Sequence, residues 1–184
     1  MKIAISAGHF PERPGLAHNQ LTEYGETILI AARLVNLLHF MGHSPYMIGT
    51  GYLERKTEQI NIGKFDYGLE IHLNGGGGDG CETLYCPGSR QGEALAKRIQ
   101  GNMVSRCGFR DRGIKEGWYR MDRPGVVDYP GDVDGDENIN FILKYTNCPF
   151  VIIEPFFMDG PDGAVHLANQ ESYLRIASAI TEAF

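Results

Sequence analysis

The sequence has no long hydrophobic run, and this absence excludes several classes of protein. Nowhere in its 184 residues is there an apolar stretch of eighteen residues, the length that a helix needs to cross a bilayer. The apolar run at the N-terminus begins at Ile3 and is already interrupted by Gly8 and His9, so it is too short for the core of a secretory signal. We therefore expect a chain made in the cytoplasm, without a signal peptide and without a membrane partner.

Cysteine and basic charge are also scarce. The chain has four cysteines, Cys81, Cys86, Cys107 and Cys148, whose spacing matches neither a C-x-x-C zinc knuckle nor a redox pair. We expect reduced thiols, with a Cys81–Cys86 disulfide as the alternative. Seventeen basic residues against twenty-three acidic ones give a net charge of −6. This balance argues against a nucleic-acid partner, because a phosphate backbone selects basic surfaces.

The rest of the composition is that of one globular domain, with 42% hydrophobic and 22% charged residues. Short apolar runs alternate with amphipathic segments, which predicts an α/β domain over residues 1–184 with a mixed, mostly parallel sheet flanked by helices. The expected strands are 1–7, 44–48, 67–73, 82–86 and 150–154. The expected helices are 23–40, capped by Thr22, 53–64, 91–107, capped by Ser89, and 169–184, with Ile62 and Leu174 among the residues expected to face inward. Residues 141–145 are expected to form a short strand or turn, and 8–22, 108–137 and 155–166 to form loops.

Polar side chains stand at the ends of three expected strands. His9 follows the first strand, His72 lies at the end of the third, and Glu154 closes the last. Glu23 begins the first expected helix. In sheets of this kind, chemistry gathers at the carboxyl ends of the strands. Each residue alone could be an ordinary loop histidine or a carboxylate facing a helix dipole, but together they predict a catalytic site.

Two imidazoles and a carboxylate suit a catalytic zinc ion. Such a zinc takes three protein ligands and leaves one position for water, and His9, Glu23 and His72 are the candidates. A further carboxylate must take the proton from this water and pass it to the leaving nitrogen. Glu154 suits that role, because burial at the end of an apolar strand raises the pKa of a carboxyl group toward neutrality.

Six segments, in order, resemble the motifs of the zinc-dependent N-acetylmuramoyl-L-alanine amidases of the Amidase_3 type. They are Ser6-Ala7-Gly8-His9 (resembling D-P-G-H-G), Glu23 at a helix start, Glu70-Ile71-His72-Leu73-Asn74 (S-I-H-x-N), Gly80-Cys81-Glu82-Thr83 (G-x-E-T), Phe109 to Lys115 (l-r-x-R-G-v-k) and Cys148 to Phe157 (x-P-a-v-L-v-E-x-G-F). The resemblance runs from Lys2 to the last helix, and six motifs in the right order form a specific signal.

This resemblance implies a fold, a metal site and a reaction. The fold is a mainly parallel sheet flanked by helices. The resemblance implies Zn²⁺ on His9, Glu23 and His72, with Glu154 as the catalytic residue. The implied substrate is peptidoglycan, and the bond cleaved is the amide between N-acetylmuramic acid and L-alanine.

The sequence departs from the family pattern beside the expected ligands. Ser6-Ala7 stands for Asp-Pro, Glu70 for the usual serine, and Phe156 for a glycine. These departures bear on substrate fit more than on zinc binding. Glu26, three residues after Glu23 on the same helix, is an alternative ligand.

The predicted function is therefore lysis of the cell wall. The lack of a signal peptide and of a separate wall-binding domain favours an endolysin of a phage or prophage, made in the cytoplasm and acting on the wall after release. A bacterial amidase reduced to its catalytic domain fits equally. The alternatives are a zinc amidohydrolase for another peptide or small amide, and a non-catalytic wall-binding module. The presence of Glu154 argues against the last.

Two segments have unusual composition without a matching motif. The acidic run from Asp128 to Glu137, which includes Asp132–Asp136, lacks the twelve-residue spacing and closing glutamate of a calcium loop, so we expect a solvated loop. The run Trp118 to Arg123 could line a groove for sugar or peptide, or form a plain loop.

Overall fold

The computed structural model describes residues 1–117 and 140–184. The runs from Trp118 to Arg123 and from Asp128 to Glu137 lie outside these residues, so their predicted roles stay predictions. The strands are β1 (Lys2–Ala7), β2 (Ala17–His18), β3 (Leu21–Thr22), β4 (Ser44–Met47), β5 (Tyr67–Ile71), β6 (Cys81–Tyr85), β7 (Asp111–Glu116) and β8 (Phe150–Glu154). The helices are α1 (Glu23–Phe40), α2 (Leu53–Gly63), α3 (Arg90–Cys107), α4 (Phe141–Tyr145), α5 (Pro161–His166) and α6 (Gln170–Thr181).

Six of the strands form one mixed sheet in the order β4-β1-β5-β8-β6-β7. Neighbouring strands are parallel, except that β6 runs antiparallel to β8. The carboxyl ends of β1, β5 and β8 therefore meet at one edge, together with the beginning of β6. This confirms the predicted α/β fold with a mostly parallel sheet.

Helices cover both faces of the sheet because its central strands are apolar on both sides. In β1, Ile3 and Ile5 join the larger core beneath α1, α3 and α6, whereas Ala4 joins the smaller core beneath α2 and α4. The same alternation in β5 sends Leu69 and Ile71 into the larger core. Polar residues at the intervening positions of β1 and β5 thus face α2.

The start of α1 is fixed by its cap. The hydroxyl of Thr22 accepts a hydrogen bond from the Gly25 amide at 3.2 Å, as the sequence predicts for a capping threonine. The first turn also carries Glu23 and Glu26, whose charges interact favourably with the positive end of the helix dipole. The cap therefore places Glu23 at the entrance of the helix.

Four element predictions were wrong. The predicted loop 8–22 contains the two short strands β2 and β3, which pair antiparallel. Residues 141–145 form a short helix, α4, capped by Asn140, instead of a strand or turn. Residues 111–116, predicted as loop, form the edge strand β7, whose pairing with β6 shifts register near Gly113 (φ +81°) and so breaks the regular alternation that marks a strand. The predicted loop 155–166 contains the short helix α5.

Two burial predictions were also wrong. Ile62 on α2 is 73% exposed and Leu174 on α6 is 50% exposed, although both were expected to face inward. All four cysteines carry free thiols. Among the helices in the described ranges, we find none with the length and apolarity needed to span a bilayer.

Candidate metal centre

The sheet edge at the ends of β1 and β5 brings two histidines together. The two strands are parallel neighbours, and their last register pair is Ala7 with Ile71. His72 follows Ile71 directly, and His9 follows Ala7 after one glycine. The Gly8 amide donates to the Ile71 carbonyl at 2.7 Å, which extends the pairing to the histidines. The ring centroids of His9 and His72 lie 5.0 Å apart.

Glu23 completes the group from the start of α1. The segment before α1 folds back over the sheet edge, where the Glu23 amide donates to the Leu16 carbonyl at 2.8 Å. One carboxylate oxygen, Oε2, lies 2.9 Å from His9 Nε2, and the other, Oε1, lies 2.9 Å from His72 Nδ1. One ligand atom from each of the three residues falls within 4.8 Å of the other two. This set of donors and its spacing fit a catalytic zinc ion.

The structure places the alternative carboxylate elsewhere. Glu26 is buried, and its Oε2 accepts hydrogen bonds from the Tyr173 hydroxyl and from the Ala168 amide, the latter at 3.0 Å. It therefore ties α1 to α6. Of the two candidates, Glu23 is the one that lies between the histidines.

The electrostatic environment of Glu23 and His72 favours positive charge between the carboxylates. Burial opposes ionisation of Glu23, but hydrogen bonds with His72 and His9 hold its pKa well below the ordinary range. Burial alone would lower the pKa of His72, yet hydrogen bonds and charges of Glu23 and Glu70 raise it to about 10. The carboxylates thus draw a proton onto His72. A divalent ion would replace this proton, because a histidine must be neutral to bind metal.

Glycines leave the space in which the donors meet. Gly15 has a positive φ of +75°, and a Cβ atom at this position would lie 2.4 Å from His9 Cδ2 and 2.5 Å from Glu23 Oε2. A Cβ on Gly8 would lie 2.6 Å from the His72 ring. His9 itself has φ +63°, an uncommon conformation for a residue with a side chain. The close approach of backbone to the donors therefore depends on glycine.

We expect Gly15→Ala to weaken metal binding at this site about 10-fold, since the new methyl group must displace donors whose placement sets the affinity. The measurement is a zinc titration against a competing chelator. Gly42→Ala is the matched control, because Gly42 also has a positive φ (+82°) but a Cβ added there would meet nothing within 4 Å. Both variants should lose about 1–2 kcal/mol of folding stability. Equal zinc affinity in the two variants would contradict the prediction.

A second carboxylate lies beside His72 on the neighbouring strand. The register of β5 and β8 ends with Ile71 opposite Ile153, and the His72 amide donates to the Ile153 carbonyl at 2.9 Å. Glu154 is thus one step beyond this pair, level with His72. Burial is the main reason that its pKa rises to about 7, and the charge of Glu82 adds to this rise.

Glu82 was not predicted as a functional residue, although its G-x-E-T motif was noticed. It lies directly opposite Glu154 in the antiparallel pairing of β6 with β8. Its carboxylate accepts hydrogen bonds from Asn74 Nδ2 at 2.9 Å, from Arg112 Nε at 2.7 Å and from Lys115 Nζ. Although burial opposes it, these partners lower the pKa of Glu82. A lasting negative charge therefore faces Glu154.

A cavity of about 300 Å³ opens beside the two histidines. Its wall includes the rings of Phe10 and Tyr52, which meet edge to face with centroids 5.1 Å apart. The guanidinium of Arg13 lies over the Tyr52 ring at 5.1 Å. Aromatic surface beside a fixed positive charge can hold a polar chain next to the metal centre.

Comparisons with known proteins agree with this geometry. A family model described as Amidase_3, N-acetylmuramoyl-L-alanine amidase, matches residues 3–184. The N-acetylmuramoyl-L-alanine amidase CwlM of Bacillus licheniformis is 30% identical over 162 residues, which cover 82% of this chain and 63% of that protein. The uncharacterized protein YqiI of Bacillus subtilis (strain 168) is 26% identical over 187 residues, covering 97% of this chain and 80% of that protein.

Solved structures show the same fold. An N-acetylmuramoyl-L-alanine amidase from Clostridium difficile 630 superposes with a TM-score of 0.82 at 23% identity, covering 99% of this chain and 93% of that one. The catalytic domain of the CD27L endolysin, which targets Clostridia difficile, superposes with a TM-score of 0.75 at 24% identity, covering 100% and 96% of the two chains.

Proposed function

The chain belongs to the Amidase_3 family of N-acetylmuramoyl-L-alanine amidases, and from this we propose that it hydrolyses the amide between N-acetylmuramic acid and L-alanine in peptidoglycan. The observation that carries the proposal is the meeting of His9, Glu23 and His72 at one edge of the sheet. A protein that only bound the wall would have no use for Glu154 beside such a group.

His9, Glu23 and His72 would hold the metal, which we propose to be zinc, through two imidazole nitrogens and one carboxylate. When bound, zinc polarises the scissile carbonyl and makes water more acidic. Gly8 and Gly15 keep the donors at contact distance. The three ligands thus set where the scissile bond must lie.

Glu154 moves the proton. Its carboxylate accepts the proton of the attacking water and returns it to the nitrogen of the departing L-alanine, so that no free amide anion has to leave. Its raised pKa suits both halves of this task, because the group must be a base first and an acid afterwards. The lasting charge of Glu82 helps to keep the pKa of Glu154 near neutrality.

We also propose how the chain is used. It acts as one catalytic domain on the cell wall, in the manner of an endolysin, as its similarity in fold to the catalytic domain of the CD27L endolysin suggests. The cavity beside His9 and His72 would receive the part of the muropeptide next to the scissile bond.

The test is digestion of purified peptidoglycan. We expect new free amino groups on L-alanine and no new reducing sugar ends. A chelator should abolish the release of L-alanine amino groups, and added Zn²⁺ should restore it. New reducing ends would instead indicate a glycosidase, and cleavage of small amides but not of peptidoglycan would favour the other class of amidohydrolase.

A further inference from the structure

A buried ion pair lies directly beneath the metal centre. Lys56 on α2 and Glu70 on β5 have side chains only 3% and 1% exposed, and Lys56 Nζ lies 2.7 Å from Glu70 Oε2. The same oxygen accepts a hydrogen bond from Ser6 Oγ at 2.6 Å, and Lys56 Nζ also donates to the Ala7 carbonyl at 2.6 Å. Burying two charges is costly, and such a pair adds little stability over well-packed apolar residues. A role other than stability should therefore be sought for it.

The position of the pair follows from strand register. Ser6 of β1 and Glu70 of β5 are direct register partners, on the sheet face toward α2. Both positions depart from the family motifs: a serine stands where the family has aspartate, and a glutamate where it has serine. The two departures thus lie side by side and share one hydrogen bond. They make a single local change in the molecule.

The free oxygen of Glu70 contacts His72. Glu70 Oε1 lies 3.0 Å from His72 Nε2, while the other ring nitrogen, Nδ1, lies 2.9 Å from Glu23 Oε1. A carboxylate can only accept hydrogen bonds, so in the metal-free protein both ring nitrogens carry a hydrogen, Nε2 toward Glu70 and Nδ1 toward Glu23. A metal ion shared with His9 and Glu23 would replace the hydrogen on Nδ1, because Nδ1 is the nitrogen that faces Glu23. Nε2 would then keep its hydrogen and its contact with Glu70.

We propose that Glu70, held by Lys56 and Ser6, is a positioning residue that fixes His72 with its Nδ1 directed at the metal. Carboxylates that accept the second N–H of a metal-binding histidine fix its orientation and make it a stronger ligand. Lys56 and Ser6 occupy Oε2, so Oε1 is kept for His72. The Lys56 contact with the Ala7 carbonyl ties the same network to the strand that leads to His9. This inference rests on the proposed metal function.

The test compares two double variants, so that neither charge of the pair is left alone in the interior. Glu70→Gln with Lys56→Met removes the charges but keeps an oxygen that can accept the His72 hydrogen. Glu70→Met with Lys56→Met removes this acceptor as well. We expect zinc affinity, measured by chelator competition, to fall about 10-fold in the first and about 100-fold in the second, the range found for partners of metal-binding histidines.

Three further measurements separate positioning from loss of structure. Gln100→Leu is the control, because the buried hydrogen bonds of Gln100 join it to Thr83 and Cys81 and not to a proposed metal ligand or to Glu70. It should lose stability, measured by thermal unfolding, but not zinc affinity. The single variant Lys56→Arg should keep the wild-type zinc affinity, since arginine keeps a positive charge beside the Glu70 carboxylate. Nitrogen-15 spectra of the zinc-loaded protein should show the ring hydrogen of His72 on Nε2.

The possible results separate the two proposals. The graded loss of affinity with the Nε2 hydrogen would support the positioning role of Glu70. Equal affinity in the wild type and in Glu70→Met/Lys56→Met would overturn it, as would a loss no larger than in Gln100→Leu or a hydrogen found on Nδ1. A wild-type chain that binds no zinc would overturn both the metal centre and this inference. Zinc binding without hydrolysis of peptidoglycan would overturn the proposed reaction alone.

Discussion

Replacing Glu154 with glutamine is expected to slow the release of L-alanine amino groups from peptidoglycan by about 10²- to 10⁴-fold, the usual contribution of a general acid–base group. Glutamine has nearly the same size and shape but cannot take a proton from water at neutral pH. Zinc binding should be unchanged, because Glu154 is not among the three converging donors. The measurement pairs the rate of hydrolysis with the zinc content of the same preparation.

The pH dependence of the wild type should carry the signature of the same group. Burial is the main cause that raises the pKa of Glu154 to about 7, and a bound dication will lower it by favouring the carboxylate. Glu154 must be deprotonated to act as a base. The rate of hydrolysis should therefore fall as the pH drops through the pKa that Glu154 has in the metal-loaded protein. Glu82→Gln removes the negative charge opposite Glu154, so its acid limb should move to lower pH.

Two outcomes would contradict this assignment. If Glu154→Gln hydrolyses peptidoglycan at the wild-type rate, the proton is carried by another group. If it loses zinc together with activity, Glu154 acts on the metal centre and not on the proton. The Glu82→Gln variant serves as the comparison because it changes a carboxylate of the same sheet edge that we do not assign to proton transfer.

The sequence was sufficient for most of the framework because local signals there are strong. Apolar runs bounded by glycine or polar residues predicted β1, β5 and β8. The capping residues Thr22 and Ser89 marked where α1 and α3 begin. The edge strand β7 was not predicted, because Gly113 interrupts the alternation of inward and outward side chains. An edge strand also needs less apolar surface than a central one.

The site shows a different limit. The positions of His9 and His72 at strand ends were enough to select them as candidates, since the carboxyl ends of neighbouring parallel strands lie at the same edge of the sheet. Glu23 and Glu26 could not be separated in this way, because both belong to the first turn of α1. The structure separates them through Tyr173, 147 residues further along the chain, which takes Glu26 into a contact with α6.

The hydrogen-bond network of Glu70, Lys56 and Ser6 was harder to predict from the sequence. The unusual residues Ser6 and Glu70 are visible in the sequence, but their meaning depends on a third residue. Lys56 comes from α2, and a lysine in a helix of mixed polarity is ordinarily expected at the surface. Only the packing of α2 against the sheet brings its ammonium group to Glu70. A buried charged side chain such as that of Lys56 is recognised from its partners in the tertiary structure, and a local sequence pattern does not contain this information.

His72→Ala is expected to have the largest effect on metal binding. Zinc bound by four protein ligands contributes about 10–16 kcal/mol, or roughly 3 kcal/mol for each ligand, so the loss of one should weaken binding by about 10²-fold or more. It also leaves the carboxylates of Glu23 and Glu70 without the imidazole that lies between them. We expect the purified variant to lose its zinc during dialysis against a chelator that leaves the wild type loaded, and to lose hydrolysis of peptidoglycan with it.

His39→Ala is the matched control for this variant, because His39 lies exposed in the last turn of α1, at the opposite end of the helix from Glu23. It should keep both zinc and activity. Thermal unfolding in the presence of chelator shows whether His72→Ala still folds, since the metal cannot then account for a difference in stability. Full zinc occupancy in a folded His72→Ala protein would mean that the ion is held elsewhere, because Glu23 and His9 alone leave too few donors to retain it against the chelator.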